Sequence, residues 1–214
     1  MKSYKSTLLE SFKSLEPYCS HIKLEFGRDV IEKDIRWREK QIESEIPDSI
    51  KDLVRANGMS VDFSWTFKDE LLVPEAMEEC TGGSFSYDLN NMSLTNWSGW
   101  KDSFNNYEDY GLEEAPKYKF EELFPFIEII NGDVIAVVVS GDDKGSIVYL
   151  DHEGEDLIWG CLGRTLKDFL DGWISIGCPG PESCYLAPFY DRKDDMLVTD
   201  VDNLDWLKFI EQPK

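Results

Sequence analysis

At 214 residues, 42% apolar and 13% aromatic, the chain can bury one sizeable core and is short for two full domains. Its 22 Lys and Arg against 43 Asp and Glu give a net charge of −21. That argues against direct contact with nucleic acid or an anionic membrane surface, since both need clustered cations. The charge is uneven: residues 1–60 carry eleven bases and eleven acids, so the whole −21 falls on residues 61–214. An acidic surface keeps a protein soluble, and it also attracts a basic partner.

The first eighteen residues, MKSYKSTLLESFKSLEPY, contain no long apolar run and do not read as a signal peptide. Residues 4–16 predict a short amphipathic helix with Leu8, Leu9, Phe12 and Leu15 on one stripe. Residues 29–44 predict a second, strongly charged helix whose Val30, Ile31, Ile35 and Ile42 turn toward a core. In EIPDSIKDLVRANG, Pro47 suits a first helical turn, Asp48 the positive end of the dipole and Arg55 the negative end. Ile50, Leu53 and Val54 form its stripe, and Asn57-Gly58 stops it. A strand follows, with Val61, Phe63, Trp65 and Phe67 alternating with Asp62, Ser64, Thr66 and Lys68. Trp65 is expected in the core.

Residues 69–119 read as an elaboration broken by Pro74, Gly82, Gly83, Gly99, Gly111 and Pro116, with a strand over 84–89 and a helix over 97–107. Residues 126–152 predict a three-stranded antiparallel meander. Its first turn is Asn131-Gly132, with both residues at positive φ, and its second is Gly141–Gly145. The middle strand, from Val134 to Val139, is apolar on both faces and is expected at the centre, covered by helices. Residues 165–176 predict a helix capped by Thr165 with Asp168 three later, its stripe Leu166, Phe169, Leu170, Trp173 and Ile174. A short terminal helix is expected over 203–211. The organisation is a helical extension over 1–28, a domain over 29–176 and an extension over 177–214 packed on that domain.

Chemistry-bearing patterns are sparse. Five cysteines without a CxxC read as reduced thiols of a cytoplasmic protein. There are two histidines, His21 and His152. His152, within Asp151-His152-Glu153, reads either as a base oriented by a carboxylate, as one metal ligand, or as a strand-end side chain bonded to turn backbone, which is the expectation here. Gly82-Gly83 lacks the Lys-Ser/Thr of a phosphate loop, and Asp142-Asp143 lacks the alternating carboxylates of a calcium loop. No catalytic set, metal site or cofactor is expected.

The order of "IESEIPDSIKDLVRANG", "DFSWTF", "FPFIEIINGDVIAVVV", "IVYLDHEGED" and "LGRTLKDFLDGW" resembles the SMI1/KNR4 (SUKH) superfamily over residues 29–68 and 120–176. The resemblance implies a single α+β domain, a twisted, mainly antiparallel sheet packed with helices, with no recognised catalytic residues. Its bacterial members are immunity proteins that bind and block toxins such as nucleases or deaminases; its fungal members regulate cell-wall synthesis through protein contacts. The chain departs from the pattern in its N-terminal helix, in residues 69–119 and from Cys178 to Lys214. The function expected is therefore stoichiometric occlusion of a toxin by an acidic, non-catalytic protein with a basic protein partner. The alternatives are a regulatory protein-interaction domain and a carboxylate-dependent enzyme. The partner face is expected among acidic and aromatic residues outside the apolar stripes: Asp88, Trp97, Trp100, Asp102, Glu108, Asp109, Glu113 and Glu114.

Overall fold

The computed structural model describes residues 3–68, 82–90, 97–107, 115–129, 131–152, 157–180 and 182–197. The fold is α+β, and every described strand pairing is antiparallel. Helix α1 (Lys5–Leu15) buries Leu8 and Leu15 while Leu9, at the margin of the stripe, stays exposed. Strand β1 (Cys19–Phe26) follows a short turn at Pro17. Residues 1–28 are thus not only a helical extension, because β1 pairs along its length with β2 (Ser60–Phe67), placing Glu25 opposite Asp62 and Leu24 opposite Phe63.

Between them lie α2 (Glu32–Ile42) and α3 (Asp48–Asn57). Asp34 fixes the start of α2: its carboxylate accepts the Ile31 N–H at 3.0 Å and is held by the Arg28 guanidinium at 2.8 Å. Ile31 sits before the first helical turn, off the helical stripe, and is exposed rather than turned to the core. Helix α3 starts after Pro47 and stops at Gly58, whose φ of +104° is the left-handed conformation that glycine tolerates. Buried Asn57 accepts the Tyr4 N–H at 2.6 Å, tying the chain's beginning to the end of α3.

The first sheet runs β1-β2-β3, with β3 at Gly82–Asp88. The second runs β4-β5-β6-β7: β4 (Leu123–Glu128), β5 (Val134–Val138), β6 (Ile147–Leu150) and β7 (Ile158–Gly163). The expected meander is present and gains β7 as a fourth strand. Its first turn differs from expectation. Gly132 has positive φ as expected, but the pairing ends at Glu128 opposite Val134, so the connection is longer than a two-residue turn, and the Asn131 side chain donates to the Asp133 carboxylate and accepts the Asp133 N–H. Where one sheet was expected, the described residues form three, the third being the small hairpin β8 (Tyr190–Asp191) and β9 (Met196–Leu197).

The main core lies between the inner faces of the two large sheets and helices α1, α3 and α5 (Leu166–Ser175). Phe63, Trp65, Phe85, Ile135, Tyr149, Phe169 and Trp173 are all buried in it, as is Leu186 of α6 (Ser183–Leu186). The Thr165 hydroxyl accepts the Asp168 N–H at 3.1 Å, the cap expected from the sequence. The second sheet's other face has its own cover. Val134, Ala136, Val138, Val148 and Leu150 meet Trp100 and Phe104 of α4 (Trp97–Asn105), with Tyr118 beside them. This is why β5 is apolar throughout: both faces are buried. The terminal helix expected over 203–211 lies outside the described residues. No helix among the described residues is long and apolar enough to cross a membrane.

Candidate binding face: the cleft between the two sheets

Strands β3 and β4 are each the outer strand of their own sheet, and a cleft of about 600 Å³ opens beside them. Its lining comes from four strand ends: Glu25–Gly27, Ser60–Asp62, Ser86–Asp88 and Phe126–Glu128. The pairing explains the chemistry. Alternation sends Val61, Phe63 and Trp65 inward, so Asp62 turns outward, and the register sets Glu25 opposite Asp62, Asp62 opposite Ser86 and Ser60 opposite Asp88. Glu128, exposed at the end of β4, completes a lining with four carboxylates. The Tyr87 and Phe126 rings, 6.2 Å apart, are buried beneath.

One base serves this face from β1. Lys23 Nζ lies 2.7 Å from Asp62 Oδ2 and 3.1 Å from Glu25 Oε2, and these hydrogen bonds push its pKa up. Arg38, on the buried side of α2, feels the Asp88 charge. Burial pushes its guanidinium pKa down and Asp88 acts the other way. An open cleft carrying four carboxylates offers complementary ground to Lys and Arg side chains of another protein.

Of the partner-face residues expected from the sequence, Asp88 lines this cleft. Asp102 is on α4, exposed, and accepts the Asn106 Nδ2–H at 2.7 Å. Trp97 is the first residue of α4. Trp100 is a correction: it is 5% exposed, because with Phe104 it forms the stripe that covers the second sheet, and it cannot act as a surface anchor. Glu108, Asp109, Glu113 and Glu114 lie outside the described residues. The expected set is therefore not one patch, since Asp88 and Asp102 belong to different layers. Glu25, Asp62 and Glu128 were missed. Asp62 was legible as the wet side of β2; the other two depend on register.

His152 has a partner other than the expected turn backbone. Its Nδ1 lies 2.7 Å from Oδ1 of Asp133, and its backbone N–H donates to the same oxygen at 3.0 Å. Asp133 is buried, and its Oδ2 accepts the Tyr149 hydroxyl at 2.5 Å and Asn131 Nδ2–H at 2.7 Å. Burial works against the charged carboxylate, but the hydrogen bonds from Tyr149, His152 and Asn131 outweigh it and hold Asp133 below the usual carboxylate range. Asp133, Asp151 and His152 offer donor atoms within 4.8 Å of one another. Each Asp133 oxygen already accepts two hydrogen bonds, so a metal would have to displace them. The arrangement fits a clasp that closes the 128–134 loop onto the end of β6. His152→Ala is expected to cost about 1–2 kcal/mol of stability, read as a lower urea midpoint, and to leave partner binding intact.

No family model and no curated protein matches the chain.

Proposed function

We propose that the chain is an immunity-type binding protein that acts in the cytoplasm, by stoichiometric occlusion of a basic toxin domain rather than by catalysis. The observation that carries this reading is the open cleft whose lining gathers Glu25, Asp62, Asp88 and Glu128. A nuclease or deaminase toxin that grips phosphates needs a cationic groove, and an acidic surface can fill it. The net charge of −21 adds a long-range field that accelerates encounter. At physiological salt the field decays over ~8 Å, so the local carboxylates decide the docked register. The resemblance to the SMI1/KNR4 superfamily points the same way.

The test is co-expression. Toxin domains from the source genome, beginning with reading frames adjacent to this one, are each expressed with and without the chain. One of them is expected to lose its toxicity and to co-purify as a 1:1 complex. Growth arrest by all of them despite a folded, soluble chain would contradict the toxin reading and favour a regulatory protein-interaction role.

A further inference from the structure

Helix α2 is amphipathic in an unusual sense for this protein. Ile35 and Arg38 turn inward, while Lys33, Arg36, Trp37 and Lys40 share the opposite face at helical spacing. All four are exposed, and Trp37 is 51% exposed. Neighbouring cations are engaged within the fold: Arg28 with Asp34, Lys51 with Glu39 and Arg55 with Glu32. Lys33, Arg36 and Lys40 make no ion pair with another described residue. A half-exposed tryptophan ringed by three such cations is the composition of an interface anchor, where Trp and Arg are enriched.

We infer that this face is a self-association surface, with the Lys33, Arg36, Trp37 and Lys40 stripe of one copy docking at the acid-lined cleft of a second copy. Charge complementarity selects the occupant: the stripe's three cations meet Glu25, Asp62, Asp88 and Glu128. Proximity selects a twofold arrangement. The cleft wall ends at Gly27, five residues before α2 begins at Glu32, and Arg38 on the inner side of α2 feels the Asp88 charge. Stripe and cleft thus adjoin, and a twofold axis that seats one stripe seats the other. An unrelated acidic protein would gain a single contact from the same stripe. The copies repel one another at long range. Near 0.15 M salt, with a screening length of ~8 Å, that repulsion is damped while the opposed patches still act at contact. The inference does not depend on a toxin partner, but it uses the same cleft, so a basic partner and a second copy compete for it.

Sedimentation velocity on the full chain at about 0.15 M salt, from about 1 μM to about 1 mM, tests it. The wild type is expected to pass from monomer to dimer across that range. Trp37→Ala, and separately the triple K33E/R36E/K40E, are expected to weaken the dimer at least ~10-fold. Glu25→Lys with Glu128→Lys is expected to weaken it similarly, and combining these with the reversed stripe to restore it. All six positions are exposed, so the fold should survive; circular dichroism verifies it for each variant. A wild-type monomer at every concentration overturns the inference. So does a dimer that Trp37→Ala leaves unchanged, or one indifferent to charge reversal in the cleft.

Discussion

Asp133→Ala is expected to lower stability by about 3–5 kcal/mol, a large share of what a single domain of this size possesses. The carboxylate is buried and accepts from Tyr149, Asn131 and both the backbone and ring of His152. Truncation would leave the Tyr149 hydroxyl and the His152 N–H without their acceptor in a region that water reaches poorly. The loss should reach further than the loop, because the Tyr149 hydroxyl in turn accepts the Ser183 N–H at 3.0 Å and so ties α6 to β6. The same residue predicts a pH dependence. Its folded pKa lies below the ordinary value of ~3.9, so the stability it contributes is fully present above about pH 4 and is lost as pH falls through the depressed value. Urea midpoints at neutral pH and below pH ~4 should therefore differ more for the wild type than for Asp133→Ala. An unchanged neutral-pH midpoint in the variant would contradict the clasp.

Trp65→Ala is expected to cost about 3–5 kcal/mol. Trp65 is 2% exposed at the middle of the first sheet, packs at 4.6 Å between ring centroids on Phe67, and donates its indole N–H to the Gly177 carbonyl at 2.8 Å. It thereby joins the sheet to the end of α5, where Trp173 donates likewise to the Pro179 carbonyl at 2.9 Å. Alanine leaves a cavity among ring neighbours that cannot collapse far, plus an unpaired carbonyl. Trp65→Phe keeps most of the ring and loses the donor, so about 1 kcal/mol is expected from it. Urea unfolding of the two variants side by side separates packing from hydrogen bonding. Equal losses would show that the indole N–H, not the ring, holds this junction.

What could be read from the sequence was local, and what could not was tertiary. Pro47, the Ile50–Leu53–Val54 stripe and Gly58 specify α3 through propensity and stop signals alone, and the alternation from Val61 to Phe67 specifies β2 and its buried face. Thr165 and Asp168 mark the start of α5 for the same reason. β1 carries an alternation too, Ile22, Leu24 and Phe26 against Lys23 and Glu25. Its apolar side is only half-buried, and its partner begins at Ser60, far along the chain. β7 hides for another cause: Gly160 and Gly163 interrupt its apolar pattern. Gly163 is there because a Cβ would lie 2.6 Å from the Phe169 backbone nitrogen at the start of α5. The candidate site was legible only through Asp88 and the wet side of β2. Glu25, Asp62 and Glu128 come together through strand register and the separation of two sheets, which no local pattern encodes. Trp100 was misplaced because an aromatic in a polar segment looks exposed until Phe104, four residues on, completes the stripe over β5.

The measurement that bears most directly on the cleft as a docking face is stopped-flow association with the basic toxin domain proposed as its partner, from about 0.05 M to about 0.5 M salt. The wild-type association rate is predicted to fall at least ~10-fold over that range while dissociation changes little. A variant carrying Glu25→Gln, Asp62→Asn and Glu128→Gln should associate more slowly at low salt and lose most of the salt dependence. Glu121→Gln with Asp142→Asn, exposed amides placed away from the cleft, should behave nearly as wild type. A salt-independent association rate, or a cleft variant indistinguishable from the wild type, would contradict the account.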